Sequence, residues 1–290
     1  MRVIDFFSGI GGCTAAVMEH GRVVQAFDQN PHAASVYESN FGHNVTRINL
    51  AGIRAEQVNE ADLWWMSPPC QPFTVRGQQR DLEDPRCAPF LRLLSVLREM
   101  LPQAIALENV PAFQHSKAHR ALVQVLNDEG YQTRERLDCP TRLGVPNRRE
   151  RFFLIAARGA LGTWSQETLP CRPLSSYLDD DDDDDELYLQ PEMQAAYRHA
   201  LPIVDPQHDD AIAFCFTSAY GRSPVHAGSY LKTPRGLRHF SPKEILRFHH
   251  FPSDYQLPPD LPNKRAWPLV GNALSVPCVR ATLEPILGAA

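Results

Sequence analysis

The 290-residue chain has no C-x-x-C pair and no cluster of Cys with His; its seven cysteines are odd in number and scattered. That excludes a disulfide framework and a zinc-type site as organising features, and reduced thiols are the expectation. Long apolar runs are missing as well: none approaches the ~20 residues that a membrane-spanning helix needs. The start runs from Met1 straight into Val3-Ile4-Asp5-Phe6-Phe7, with no basic n-region and no cleavage-site pattern, so a cytoplasmic location is expected. No internal repeat is visible, which excludes a solenoid. A net positive charge is also lacking, the formal net charge being −5. The deficit has one source, because Asp179 to Asp185 and Glu186 contribute eight negative charges; the rest of the chain carries +3. Such a run reads as a solvated loop. The remainder is mildly basic and arginine-rich, which permits contact with phosphates.

What is present suits a globular protein with one large core and a small second lobe, at 43% hydrophobic and 22% charged residues. Short apolar runs alternate with helical patterns through the first half. Strands are predicted at Val3–Phe6, Val23–Phe27, Asp62–Met66, Ala104–Leu107, Gln132–Leu137 and Arg151–Ala157. Helices are predicted at Gly12–His20, closed by Gly21, after Asn30-Pro31, at Ala88–Met100 and at Ser116–Glu129. The alternation predicts an α/β fold with a mostly parallel sheet, which binds ligands at the carboxyl ends of its strands. Beyond about Arg158 the pattern gives way to segments rich in Pro, Ser/Thr and Asp, with a helix near Pro191–Ala200. Ser241-Pro242-Lys243-Glu244 opens a further helix with a near capping box, and Val270–Ile286 returns to an apolar strand-or-helix pattern.

Five segments carry chemistry. Asp5-Phe6-Phe7-Ser8-Gly9-Ile10-Gly11-Gly12 takes a strand through a glycine-rich turn into a helix, and Asp28 ends the second strand. Glycines let backbone approach a ligand, and a carboxylate at that strand end binds ribose hydroxyls, so a nucleoside cofactor is expected. Ser67-Pro68-Pro69-Cys70-Gln71-Pro72-Phe73-Thr74 follows an apolar strand. Its three prolines lock the loop and stop the strand, as a presented nucleophile requires. Leu107-Glu108-Asn109-Val110 stands at another strand end, where a glutamate can serve in proton transfer. Asn147-Arg148-Arg149-Glu150-Arg151 leads into a strand; Arg148 and Glu150 read as a solvated edge. Gly271-Asn272-Ala273-Leu274 lies close to the C-terminus.

In this order, across nearly the whole chain, the five segments resemble the conserved blocks of the cytosine-C5 methyltransferase family. In the block which that family writes Q-x-R-x-R, Asn147 replaces the glutamine while Arg149 and Arg151 match. Many members carry Gly-Asp after the third strand, where the carboxylate binds the adenine amine; here the stretch is Ile48-Asn49-Leu50-Ala51. The resemblance implies a Rossmann-like sheet that binds S-adenosylmethionine (SAM) on Phe7, Gly9, Ile10, Gly11, Gly12, Asp28, Pro69, Asn272 and Ala273. It implies catalysis by Cys70, Glu108, Arg149 and Arg151: a thiolate adding to cytosine C6, a partner for N3, and arginines holding O2 or a phosphate. No metal is implied. Residues 1–160, completed by 262–290, would form the catalytic domain. Residues 161–261 would form a target-recognition lobe with an acidic loop at 179–186.

A finer likeness involves Met66–Thr74, Arg86–Leu94, Cys215-Phe216-Thr217 and Leu237–Glu244. These resemble the tRNA-aspartate branch, built like DNA methyltransferases but modifying the cytosine at nucleotide 38 of the anticodon loop. The second lobe is shorter than in that branch's longer enzymes. Gln71, Asn109, Cys215, Phe216, Thr217 and Arg238 are then the expected substrate-side residues, with Arg235, Arg238 and Arg247 as phosphate contacts. The alternatives are a DNA cytosine methyltransferase, as in a restriction system, and a non-catalytic SAM- or RNA-binding module.

Overall fold

The structure, a computed structural model, describes residues 1–73, 81–179 and 184–288. Thr74 of the cysteine loop and residues 180–183 of the acidic run fall outside the described residues. The chain forms two compact units: Met1–Asp138 with Glu150–Gln166 and Cys278–Ala290, and Cys139–Arg149 with Glu167–Pro277. Relative to the expected division, 139–149 and 262–277 group with the second unit and 161–166 with the first.

The first unit is built on a seven-stranded sheet. Its strands are β1 (Arg2–Phe6), β2 (Arg22–Phe27), β3 (Val45–Thr46), β4 (Leu63–Met66), β5 (Ala104–Asn109) and β6 (Gln132–Asp138). β7 (Asn147–Arg148) belongs to the second unit, and β8 (Arg151–Ala157) completes the sheet in the order β3-β2-β1-β4-β5-β8-β6. Pairing is parallel except around β8, which runs antiparallel to β5 and β6. All four residues of β4 are buried, as expected of a central strand covered on both faces. Helices α1 (Gly12–Val17), α2 (Pro31–Phe41), α3 (Ala88–Met100) and α4 (Lys117–Asp128) fall within a residue or two of prediction, with one exception. Asn30 caps α2 by accepting the His32 and Ala33 N–H groups, with Pro31 at the first helical position. The exception is α1, expected to reach His20. It stops at Val17, where the Arg280 guanidinium takes up the Ala16 carbonyl at 3.3 Å. Among the described residues no helix is long and apolar enough to cross a membrane.

The second unit has only short strands: β7 pairs in parallel with β10 (Ala213–Phe214), and β9 (Ile203–Val204), β11 (Tyr230–Thr233) and β12 (Gly236–His239) form a three-stranded sheet. Its helices are α5 (Pro191–Tyr197), α6 (Pro242–Phe248) and α7 (Asn263–Gly271). The terminal apolar pattern is helical: α7 is followed by α8 (Val276–Leu287). The capping box forms as predicted, Ser241 and Glu244 each accepting the other's backbone N–H. Glu244 does more than cap. Fully buried, it accepts Arg238 Nη2 at 2.8 Å and Nη1 at 2.9 Å, plus the Asp179 N–H at 3.0 Å. Arg238 is therefore an internal cation, 3% exposed, and not a surface contact for phosphate. Arg247 pairs with Asp179, and Arg235 with Asp185. The described ends of the acidic run are thus tethered to arginines expected to meet phosphates. Phe216, expected on the substrate side, is fully buried against Tyr220, Phe240 and Phe248.

Breaking the Arg238–Glu244 pair leaves a buried charge uncompensated. Glu244→Gln or Arg238→Met should cost about 3–5 kcal/mol in urea unfolding. The double variant Arg238→Met/Glu244→Leu should recover much of that loss. Wild-type stability in either single variant would show that the pair is solvated.

Candidate active site

Register brings the predicted groups to one edge. Phe27 pairs with Phe6, Phe6 with Met66, and Met66 with Leu107, making a single row across β2, β1, β4 and β5. The residues that follow this row in the chain are Asp28, Phe7, Ser67 and Glu108. This is the carboxyl edge on which parallel sheets bind ligands.

Cys70 lies half-buried in the loop after β4, inside a turn closed by the Phe73 N–H on the Cys70 carbonyl at 2.9 Å. Trp65 Nε1 donates to Ser67 Oγ at 2.8 Å, fixing the loop's start. Asn109, expected to meet substrate, is 1% exposed and donates through Nδ2 to the Pro68 carbonyl at 3.0 Å. It ties the cysteine loop to the end of β5. Beside it, the Glu108 carboxylate pairs with Arg151 Nε at 3.2 Å, with both side chains largely shielded. β8 delivers Arg151 there because it runs antiparallel to β5. Gln71 is exposed and Pro69 half-buried in the same loop. Arg86, given no role by the sequence, is gripped by Asp84 through Nε at 2.9 Å and Nη2 at 2.6 Å. It lies within electrostatic reach of the Cys70 thiol, and its charge has the sign that favours a thiolate.

The glycine-rich turn is shaped for a ligand. Gly11 has φ of +92°, and a Cβ there would lie 2.2 Å from the Phe41 ring, so only glycine fits. Phe7 holds a φ of +61°, uncommon for a bulky residue. The Asp28 carboxylate accepts the Gly9 N–H at 2.8 Å and the Asn30 N–H at 2.7 Å. Burial pushes its carboxyl above the ordinary aspartate range, against the lowering effect of those N–H donors. Ser8 Oγ is buried without a hydrogen-bond partner, and nothing lies within 4 Å of a Cβ built on Gly9. An open glycine face beside an acceptor carboxylate and an unsatisfied hydroxyl fits a nucleoside ligand. Ile10 and Gly12 are buried within the turn and the start of α1. Asn49 is exposed and uses its side-chain oxygen to accept the Ala51 N–H.

In the second unit three blocks meet at Arg149. This residue is 4% exposed, and Nη1 donates to the Phe216 carbonyl at 2.8 Å, the Gly271 carbonyl at 3.2 Å and Cys215 Sγ at 3.3 Å. Nη2 donates to the Ala273 carbonyl at 2.8 Å. Where the sequence suggests that Arg149 holds a base or phosphate, the structure buries it with both terminal nitrogens donating to carbonyls and to a sulfur, so that it staples the Cys-Phe-Thr segment to the Gly-Asn-Ala block. Gly271 is needed there, since a Cβ would stand 2.3 Å from the Thr217 carbonyl oxygen. Ala273 is buried at this junction, and Asn272 caps α7 with its side chain exposed. Cys215 and Thr217 are half-buried. Asn147, fully buried, donates to the Ala213 and Phe214 carbonyls, a structural use of the position where the family has glutamine.

Asn109→Ala should cost about 1–3 kcal/mol, the penalty for a buried carbonyl left without its donor. Thermal unfolding checks the stability. Faster alkylation of Cys70 in the folded variant would report the freed loop, and an unchanged melting temperature would show that Pro68 finds another donor.

Comparison with known proteins follows the same lines. The profile of a family described as C-5 cytosine-specific DNA methylase matches residues 1–186. A Schizosaccharomyces pombe protein named tRNA (cytosine(38)-C(5))-methyltransferase is 29% identical, covering 99% of this chain and 97% of its own. A Dictyostelium discoideum protein named DNA (cytosine-5)-methyltransferase is also 29% identical, over 99% of this chain and 94% of its own. The solved structure of the Entamoeba histolytica methyltransferase EhMeth superposes with a TM-score of 0.92 at 25% identity, covering 100% of this chain and 98% of that one. A family profile spanning well over half the sequence, full-length relatives and a matching fold agree: the chain belongs to the C-5 cytosine-specific DNA methylase family and is a cytosine-C5 methyltransferase.

Proposed function

We propose that the protein methylates C5 of an anticodon-loop cytosine in tRNA, with nucleotide 38 of tRNA-Asp as first candidate, through a covalent adduct between Cys70 and cytosine C6. The observation that carries the chemistry of this reading is the link from Asn109 to Pro68, which couples the Cys70 loop to the strand end bearing Glu108 and its partner Arg151. Cytosine C5 is a poor nucleophile until a thiolate adds at C6. Cys70 forms the S–C6 bond, and electron density moves toward N3, where Glu108 shares a proton. Arg151 orients Glu108 and sets a positive charge toward the base oxygen. SAM, when bound, supplies an electrophilic methyl group to C5. Phe7, the turn at Gly9–Gly12 and Asp28 would hold it, with the carboxylate as acceptor for the ribose hydroxyls. Loss of the C5 proton to a base then expels Cys70 and restores the ring. In the second unit, Arg149 acts by positioning the Cys-Phe-Thr segment, within what we read as a target-recognition lobe.

The RNA target is supported by the name of the S. pombe relative and by the energetics of access. A base unpaired in a loop reaches such a site without the few kcal/mol that extrusion from a duplex costs. The Dictyostelium relative's name keeps DNA as the second reading.

Cys70→Ala should abolish methyl transfer while SAM binding persists, and RNA carrying 5-fluorocytosine should trap the wild-type protein covalently because fluorine cannot leave as a proton does. Retained turnover by Cys70→Ala would end the mechanism. Asp28→Ala should weaken SAM by about 2–4 kcal/mol in calorimetry, with RNA affinity nearly unchanged. Labelled methyl transfer compared on tRNA, its isolated anticodon stem-loop and duplex DNA decides the substrate; methylation of DNA alone would favour the second reading.

A further inference from the structure

The outer face of the β7–β10 ladder carries a feature that the reaction above does not use. The two strands pair in parallel, with Asn147 opposite Ala213 and Arg148 opposite Phe214. Strand alternation turns the first pair inward, where both are fully buried. It turns the second pair outward. The Phe214 ring is left 46% exposed, and the Arg148 guanidinium carbon lies over it at 5.8 Å from the centroid. Among the described residues Arg148 meets no carboxylate, whereas Arg235, Arg238 and Arg247 of the same unit are each paired with one. Beside this stack opens a pocket of about 370 Å³, lined also by Pro202, Cys215, Thr217 and His226. That volume falls in the range of small-ligand sites, about 300–1,000 Å³. His226 is exposed and holds a φ of +60°.

We propose that this pocket is a nucleotide subsite: an unpaired RNA nucleotide other than the target cytosine stacks its base on Phe214 and sets its phosphate against Arg148. The inference rests on the RNA reading above and adds where a second nucleotide is held. The chemistry of the pocket selects this occupant. An exposed aromatic face offers stacking to any base, a guanidinium plane extends that stack, and a cation without a carboxylate partner seeks a phosphate. Arg148 stands three residues before Arg151 in the chain. A solvated surface arginine would need neither the cross-strand aromatic nor the cavity.

The test replaces each non-target nucleotide of the anticodon loop, one at a time, with an abasic residue, and measures steady-state kinetics with the intact enzyme. One position should raise KM by roughly 5- to 100-fold, the effect of losing one base–aromatic stack, while kcat changes little. Phe214→Ala should raise KM for the complete RNA by a similar factor and become insensitive to the abasic site at that position. Phe214→Tyr should restore both. Phe214→Leu, which keeps apolar bulk, should retain the melting temperature but not the KM. Arg148→Ala should flatten the dependence of log KM on log salt by about 0.7, one single-strand phosphate contact, and Arg148→Lys should not. If tRNA is methylated but Phe214→Ala leaves KM unchanged, or remains sensitive to the same abasic position, the subsite is wrong and the tRNA reading stands. Methylation of DNA alone overturns both.

Discussion

The parallel backbone ladder from β2 through β1 and β4 to β5 is the constraint on which the site depends. Parallel strands end on the same side, and here the register aligns Phe27, Phe6, Met66 and Leu107 in one row. Each chain therefore leaves the sheet at the same edge, carrying Asp28, Phe7, Ser67 or Glu108 with it. A shift of one residue in β4 would turn Trp64, Trp65 and Met66 to opposite faces, a large cost for side chains that are wholly buried. Core burial thus fixes register, and register places the nucleophile loop beside the carboxylate.

Rigidity at that edge comes from polar groups that hold one another in place. Asn109 gives its amide to Pro68, Asp84 grips Arg86, and Arg151 pairs with Glu108. Phe7 and Gly11 hold positive φ values in the turn next to an unsatisfied Ser8 hydroxyl. Strain and an orphaned hydrogen-bonding group gathered in one turn mark a surface shaped for a ligand rather than for stability.

The second unit solves a different problem. Its strands are two to four residues long, so backbone pairing leaves much polar backbone to be satisfied by other means. Arg149 donates to three carbonyls and a sulfur, Asn147 to two carbonyls, and the buried Arg238–Glu244 pair holds β12, α6 and Asp179 together. Of the charged residues that look in sequence like a nucleic-acid contact set, Arg149 and Arg238 are internal braces, while Arg235 and Arg247 are exposed and paired with carboxylates. The acidic run follows the same logic at its described ends, since Asp179 and Asp185 neutralise Arg247 and Arg235.

Local chemistry determined what the sequence could reveal by itself. Strand–helix alternation, Asn30-Pro31 at a helix start, the Ser241–Glu244 capping box and the proline-locked cysteine loop are short-range features, each decided by residues within a few positions of one another. The ordered blocks added the family, because their succession along the chain needs no contact map. Tertiary structure alone decided what each polar side chain does. Arg149, Arg238 and Asn109 look like substrate contacts in the sequence, yet burial makes them braces: Arg149 and Asn109 against carbonyls more than 40 residues away, and Arg238 against Glu244, whose carboxylate also takes the Asp179 N–H. Arg148 reads as the solvated neighbour of Arg149, but strand alternation and the register with Phe214 turn it outward over an aromatic ring. A side chain's partner is set by how distant segments meet, and a linear sequence carries that information only through the packing of the whole core.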